Sequence, residues 1–248
     1  MMQESGKSMG FQLQHPSQEL QALIVDAAHR HGKVAVAHAT CLDDTLLVLR
    51  AGVDGLTHTF YDQPCTQEVV DAYKKNNAWL NPTLAAMGSL TTEGQPTQEK
   101  FAHDKRVEGK IGEAERERMC QCMNFHTETA RFEYAVESVK MLKEAGIDII
   151  CGSDSAGPAR GTAWGLSLHH ELNLFVNLCG FTPQEALRSA TALTAKRFGF
   201  DDRGKIAEGL KADLVLVEGN PLEDIDHTLD IRAVWRDGEI LDMYKDNL

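Results

Sequence analysis

The stretch Val34-Ala35-Val36-Ala37-His38 is a short apolar run that ends in a histidine. The same pattern returns at Gly55-Leu56-Thr57-His58, and a third run, Ile149-Ile150-Cys151-Gly152-Ser153-Asp154, ends in an aspartate. Short buried strands of (β/α) barrels place catalytic side chains where they end, at the C-terminal rim of the sheet. The three runs therefore predict parallel strands and a shared site made by His38, His58 and Asp154.

Helical patterns alternate with these runs. Apolar residues recur at helical spacing over 17–30, and Ser17 is placed to cap that helix. Further helices are predicted over 43–51 and 68–76, between strands over 33–38, 55–58 and 78–84. This alternation predicts an α/β fold with a parallel sheet and helices outside it.

Residues 87–127 do not continue the alternation of helices and strands. A loop with Gly88, Gly94 and Pro96 leads into a highly charged stretch over 99–118, which is typical of a solvated helix or a mobile segment. Because this stretch follows a barrel strand, a lid over the site is the alternative. Beyond it, helices are predicted over 127–145, 169–179 and 183–198, the last one opened by a capping box of Thr182 and Glu185.

The remainder of the chain changes character. Strands are predicted over 204–206, 212–217 and 231–236, and Asp237-Gly238 is typical of a two-residue hairpin turn. We therefore predict two parts: a partial (β/α) barrel over 1–200 and a small β-sheet over 201–248.

The composition argues against several classes of function and partner. The 248 residues carry a net charge of −12, which argues against nucleic acid or anionic membrane as a partner. No window approaches the ~20 apolar residues of a membrane span, and no apolar signal segment is visible. The six cysteines have irregular spacings, so reduced thiols in a cytoplasmic protein are the simplest account.

Two imidazoles and one carboxylate are typical ligands of a catalytic zinc ion. Zn²⁺ is therefore the expected cofactor, although Mn²⁺, Fe²⁺ and Co²⁺ accept the same ligands. An unprotonated Asp154 would take the proton of a metal-activated water. Alone, His38 could be a rim histidine held by the backbone, and Asp154 could cap the next helix. Three ligands at three strand ends favour a metal-dependent hydrolase.

The residues around these ligands resemble the amidohydrolase superfamily, specifically its imidazolonepropionase-like and prolidase-like branch. The matches that carry ligands are Val36-Ala37-His38-Ala39, Ala51-Gly52-Val53-Asp54-Gly55-Leu56-Thr57-His58, Asn81-Pro82-Thr83-Leu84 and Cys151-Gly152-Ser153-Asp154-Ser155. The matches in the tail are Thr182-Pro183-Gln184-Glu185-Ala186-Leu187-Arg188-Ser189-Ala190-Thr191, Gly204-Lys205-Ile206-Ala207-Glu208-Gly209-Leu210-Lys211-Ala212-Asp213-Leu214-Val215 and Gly219-Asn220-Pro221-Leu222. The resemblance covers nearly the whole chain except the charged insert.

The resemblance implies a (β/α)8 TIM barrel followed by part of a small β-sandwich. His38 and His58 match the metal-binding histidines of strands five and six, and Asp154 matches the aspartate of strand eight. The implied reaction is hydrolysis of an amide, peptide-like or cyclic amide C–N bond in a small-molecule substrate.

The chain departs from the family pattern near its start. The family carries a His-x-His pair on strand one, whereas His29-Arg30-His31 falls at a helix end, and Lys7 lies several residues too late for the family's strand-four lysine. We therefore expect only the C-terminal half of a barrel, with at most one metal ion. A catalytically incompetent truncated fragment or non-enzymatic relative is the alternative. Uncovered barrel edges predict self-association.

Three more residues are candidates for binding substrate. Tyr61 follows His58, Arg160 lies on the loop after Asp154, and His169 begins a later helix. Each has a structural alternative: core packing for Tyr61, a solvated loop arginine for Arg160, and a surface pair with His170 for His169.

Overall fold

The computed structural model describes residues 1–157 and 159–247. Helices and strands alternate in the first third of the chain, in the order α1 Gln18–Arg30, β1 Val36–His38, α2 Leu42–Arg50, β2 Gly55–Thr57, α3 Gln67–Asn76 and β3 Trp79–Asn81. Helices dominate the middle: α4 Leu84–Thr91, α5 Gln95–Ala102, α6 Glu113–Met119, α7 Phe132–Glu144, α8 Leu166–Asn177, α9 Pro183–Ala190 and α10 Ala192–Arg197. The last strands are β4 Leu214–Val217, β5 Ile231–Arg236 and β6 Glu239–Ile240.

The first sheet is parallel and follows chain order. Strand β1 pairs with β2, and β2 pairs with β3. Isolated parallel bridges extend the row at both sides, from Met2 to His38 and from Leu80 to Ile149. The predicted α/β fold with a parallel sheet is confirmed, while the half-barrel and the sandwich stay predictions.

The strands are shorter than the sequence predicts. The run over 78–84 gives only Trp79–Asn81, because Pro82 has no amide proton for the ladder and α4 begins at Leu84. The strand predicted in the run that starts at Ile149 is an isolated bridge at Ile149. The predicted boundaries of α2 and α3 are correct to within one residue.

Helix α1 exposes its apolar stripe. Ser17 caps the helix as predicted, accepting the amide of Leu20. Leu20, Leu23 and Ile24, which we call the α1 stripe, are 49, 63 and 40% exposed. The buried side instead carries Gln21 and Val25, and Gln21 donates to the side-chain oxygen of Gln3.

The charged insert is packed rather than solvated. Its two helices α5 and α6 contribute Phe101 and Met119 to a cluster of buried apolar residues. Leu166 of α8 and Leu229 near the C-terminus complete that cluster, together with Val107. The prediction of a solvated helix over 99–118 is therefore wrong, since its apolar positions contact parts of the chain more than 40 residues away.

The C-terminal elements follow local signals closely. The capping box of Thr182 and Glu185 is present, and β4, β5 and β6 form an antiparallel sheet. Asp237 and Gly238 both have positive φ, as a type I′ hairpin turn requires.

The helix predicted to run to 198 is divided at Thr191, whose hydroxyl donates back to the carbonyl of Leu187. The predicted strand over 204–206 is not a strand in the described structure.

The described part of the chain contains neither a membrane-spanning helix nor a disulfide. Along the described ranges, no helix is long and apolar enough to cross a bilayer. None of the six cysteines forms a disulfide.

Gly55 lies directly against the indole of Trp79, and a Cβ built at this glycine would overlap the ring. We expect Gly55→Ala to lower the free energy of unfolding by about 3 kcal/mol, because overpacking forces the sheet or Trp79 to move. Gly112→Ala is the matched control, since the space around Gly112 is open. That control should cost less than about 1 kcal/mol, the scale of a lost helix-cap preference. Equal losses in urea denaturation would contradict this assignment.

Candidate functional site

The three predicted ligands lie next to one another at one rim of the parallel sheet. The rings of His38 and His58 meet edge to face, with centroids 4.6 Å apart and planes at 84°. Nε2 of His58 lies 3.9 Å from Oδ2 of Asp154. Each side chain is placed by its strand: His38 closes β1, His58 follows β2, and Asp154 follows the bridge at Ile149.

His58 is held from both its backbone and its ring. Its amide donates to the carbonyl of Asn81 over 2.8 Å, and Nδ1 lies 2.6 Å from the hydroxyl of Thr83. The side chain is buried, and this burial, with the nearby His38, lowers the pKa of His58 to about 3. His58 is therefore a neutral imidazole at physiological pH, with Nε2 directed towards Asp154.

Glu4 is a functional candidate that the sequence reasoning missed. One of its carboxylate oxygens lies 3.1 Å from Nε2 of His38 and also accepts the hydroxyl of Thr40. Its other oxygen accepts the amide of Gly6 over 2.7 Å. Burial opposes the charge, but these hydrogen bonds outweigh burial and lower the pKa of Glu4. No local pattern in the sequence predicts this contact, because Glu4 reaches the rim through the pairing of Met2 with His38.

A second buried carboxylate supports the turn behind His58. Both oxygens of Glu171 accept backbone amides at the start of α4, those of Leu84 and Ala85, each over 2.8 Å. Burial raises the pKa of Glu171 to about 8, and the two amides act in the opposite direction. Thr83, whose hydroxyl contacts His58, directly precedes this pair of amides.

Three residues around the site have left-handed backbone conformations. The φ angles of His58, Thr83 and Asp154 are +73°, +51° and +53°. Such conformations cost of order 1 kcal/mol for residues other than glycine and concentrate at functional sites. Their grouping at strand ends supports a functional interpretation of this rim. Burial raises the pKa of Asp154, whereas His38 lowers it.

The three predicted substrate residues fall in different surroundings. Tyr61 is fully buried in the core, and its hydroxyl donates to the carbonyl of Phe125 over 2.9 Å. The side chain of Arg160 is exposed. Nδ1 of His169 lies 2.9 Å from the hydroxyl of Thr228, and burial lowers the pKa of His169 to about 4. Their roles in substrate binding stay predictions.

The expected surface pair of histidines is not found. His170 is 1% exposed, and its Nε2 lies 3.0 Å from the hydroxyl of Thr97. Its Nδ1 is buried without a hydrogen-bond partner in the described structure. Burial lowers the pKa of His170 to about 4, so the ring is neutral. No periodic pattern in the sequence predicts the burial of His170, because α8 is buried on more than one face.

The donor atoms suit a divalent cation, although they are not assembled around one. The contact with Glu4 occupies Nε2 of His38, and Thr83 occupies Nδ1 of His58, so each ring keeps one nitrogen for a metal. The 3.9 Å between His58 and Asp154 is less than two zinc–ligand bonds of about 2.1 Å laid end to end. Yet within 1–157 and 159–247 no group of three or more His, Cys, Asp or Glu side chains is arranged to hold an ion.

Comparison with known proteins identifies the class and then the family. A solved Xaa-Pro dipeptidase with bound methionine in its active site superposes with a TM-score of 0.69 and 24% identity, over 94% of this chain and 50% of that one. The chain therefore shares the α/β fold of about half of that TIM-barrel protein. The sequence model of the Amidohydrolase family matches residues 12–246, so the chain belongs to the amidohydrolase family.

Two curated relatives agree with this assignment. Imidazolonepropionase of Deinococcus deserti is 34% identical over 102 residues, which are 40% of this chain and 25% of that protein. Ochratoxinase of Aspergillus niger is 26% identical over 239 residues, which are 92% of this chain and 42% of that protein. The chain thus spans less than half the length of these curated relatives.

The buried imidazole of His58 makes stability depend on pH. As pH falls from about 6.5 towards 3, unfolded His58 takes up a proton that the folded ring does not, so the free energy of unfolding should decrease. The slope from this group is at most about 1.4 kcal/mol per pH unit. In urea denaturation at several pH values, His58→Asn should flatten the slope. The exposed His15→Gln control should leave it unchanged, and equal slopes in all three proteins would refute the assignment.

Proposed function

We propose that this chain carries the catalytic rim of a metal-dependent hydrolase that cleaves an amide, peptide-like or cyclic amide C–N bond. The observation that carries the proposal is the adjacency of His38, His58 and Asp154 at strand ends of an amidohydrolase-family chain. The donor set is that of a zinc site, with one ion as the expected number.

The position of each residue at the rim sets its role in the proposed reaction. His38 and His58 would hold the ion through the nitrogens that Glu4 and Thr83 leave unoccupied. A bound divalent ion lowers the pKa of water and polarises a carbonyl. Asp154 faces the same space with a half-exposed carboxylate, so it can accept a proton from the attacking water. Asp154 then returns that proton to the leaving nitrogen, which completes hydrolysis.

The test is hydrolysis of N-acyl amino acids and X-Pro dipeptides with and without added Zn²⁺. We expect activity that requires the ion and that falls about 10²- to 10⁴-fold in Asp154→Asn. Asparagine tolerates the left-handed backbone at this position, so the fold should persist. Asp71→Asn, on the outer helix α3, is the matched control and should keep full activity. Full metal-dependent activity in Asp154→Asn would rule out the mechanism.

A catalytically incompetent relative is the second candidate. It is favoured by the lack, among the described residues, of three ligands already arranged around one point. Metal analysis of the purified chain separates the two: about one equivalent of bound divalent ion supports the hydrolase, and none after incubation with Zn²⁺ supports the inert relative.

We also propose that the chain forms half of a barrel and self-associates. The parallel row from Met2 through β1, β2 and β3 to Ile149 has fewer positions than the eight strands of a closed barrel. The first 34 residues expose several large apolar side chains: Met2, Phe11, Leu13, Val34 and the α1 stripe. A second copy placing the same patch against this one would cover both in a two-fold contact.

Sedimentation velocity tests this contact. We expect the parent chain to sediment as a dimer, and Leu23→Lys to shift it to monomer, because a charge in the α1 stripe cannot be buried unpaired. Ile206→Lys is the control, since Ile206 is 89% exposed in the C-terminal segment and should leave the dimer intact. A parent chain that is monomeric at all concentrations would refute self-association.

A further inference from the structure

The two helices of the charged insert, α5 and α6, pack on an apolar cluster that is separate from the larger core. Phe101 and Met119 lie in this cluster with Leu166 of α8 and Leu229. The buried apolar residues of α2 and β2 belong to the larger core instead. A segment with a small core of its own can open without unfolding the whole protein. We call residues 95–119 the strap.

Helix α6 of the strap holds the segment that leads from Asp154 to α8. The amide of Gly161 donates to the carbonyl of Arg118 over 2.9 Å. The amide of Trp164 donates to the carboxylate of Glu115 over 2.8 Å. Detachment of the strap would therefore free the segment that follows the proposed proton acceptor.

A neutral histidine of α8 lies under α5 of the strap. The single hydroxyl proton of Thr97 is donated to the carbonyl of Gly94 over 2.9 Å, so the hydroxyl oxygen accepts from Nε2 of His170 over 3.0 Å. Nε2 therefore carries the ring proton, and Nδ1 is an acceptor that is buried without a partner among the described residues. The ring also packs on Phe101, with centroids 5.0 Å apart.

The nearest carboxylate is already engaged by other donors. Within the described part of the chain, the charges that act on the ring of His170 are those of Lys100 in α5 and Asp226 in the 3-10 helix Ile225–Leu229. Oδ1 of Asp226 accepts the side-chain amide of Asn173 over 2.7 Å, and Oδ2 accepts Lys100 over 3.2 Å. Burial outweighs the attraction of Asp226 and lowers the pKa of His170 to about 4.

The other groups around α8 do not compensate for this burial. Helix α4 has no titratable residue, and Glu185 and Arg188 of α9 are not among the charges that act on the ring. Glu171, the next residue of α8, directs both carboxylate oxygens at the amides of α4. His169 contacts Thr228 of the 3-10 helix, and burial lowers its pKa to about 4 as well.

We propose that the strap is released by acid: protonation of His170 detaches residues 95–119 from α8 and so frees the segment that follows Asp154. In the docked state Nδ1 has no acceptor for a second ring proton, whereas in the detached state water accepts it. The pKa of His170 is about 4 when the strap is docked and near the ordinary 6.5 when the ring is solvated. As pH falls between these values, only the detached state takes up the proton, so detachment becomes more favourable by at most about tenfold per pH unit.

Hydrogen exchange of the full chain between about pH 6.5 and 4.5, read by mass spectrometry, tests this release. Protection is expressed relative to the intrinsic exchange rate at each pH. At every pH we expect the strap to be less protected than residues 42–57 of the larger core, because it opens alone. Strap protection should fall by up to about tenfold per pH unit from His170. The peptide that contains the amides of Gly161 and Trp164 should lose protection in step.

His170→Phe should reduce this fall by the same factor, because phenylalanine cannot take up a proton. It leaves Thr97 paired, since the hydroxyl keeps its bond to the carbonyl of Gly94. His170→Gln, a second variant without a titratable ring, should have the same effect. His103→Gln is the control: this histidine of the strap is exposed, so its loss should leave the fall unchanged.

Three results would overturn the proposal. They are a strap as protected as the larger core at every pH, an equal fall in the parent chain and both His170 variants, and a segment after Asp154 that keeps its protection when the strap loses it. No metal ion and no substrate enter this measurement, so its outcome is independent of the proposed hydrolase activity.

Discussion

The in-register pairing of three short parallel strands is the constraint on which the site depends. His38 is paired with Thr57, and Thr57 with Asn81, so the three strand ends lie level with one another. A slip of one residue in any pair would turn every side chain of that strand to the opposite face. The buried contact of Gly55 with Trp79 opposes such a slip at the other end of the strands. Packing below the rim therefore fixes the geometry at the rim.

Above the strands, polar groups that lie outside the ligand set orient the ligands. Glu4 and Thr83 each occupy one ring nitrogen, and they do so on opposite nitrogens of the two histidines. This choice decides which nitrogen of each ring is available. Without these partners each imidazole could present either nitrogen, so the contacts with Glu4 and Thr83 orient the two rings. Orienting the ligands in this way places charges in buried or half-buried positions, and these charges must stay hydrogen-bonded.

The sequence predicts features that rest on neighbouring residues. The capping box at Thr182 and the hairpin turn at Asp237 appear where their local chemistry places them. The positions of His38, His58 and Asp154 at strand ends follow from the sequence, because parallel topology brings such ends to one rim. The three side chains lie near one another in the structure. Their roles as ligands and the roles of the three substrate candidates stay predictions.

Features that rest on distant contacts could not be predicted. Glu4 reaches His38 only through the pairing of Met2 with a strand more than 30 residues later. The α1 stripe has the spacing of a buried face, yet Gln21 turns the helix the other way by contacting Gln3. The insert looks solvated because its partners, Leu166 and Leu229, lie far along the chain.

The contacts of Glu171 affect which positions can mutate independently of one another in this family. Its carboxylate accepts hydrogen bonds from the main-chain amides of Leu84 and Ala85 in α4, and every residue except proline has such an amide. Side chains at those two positions can therefore change without any compensating change at Glu171. Pairs of positions that mutate together across homologues would consequently not reveal this contact. A reading of evolutionary couplings alone would overlook one of the supports of the turn that carries Thr83.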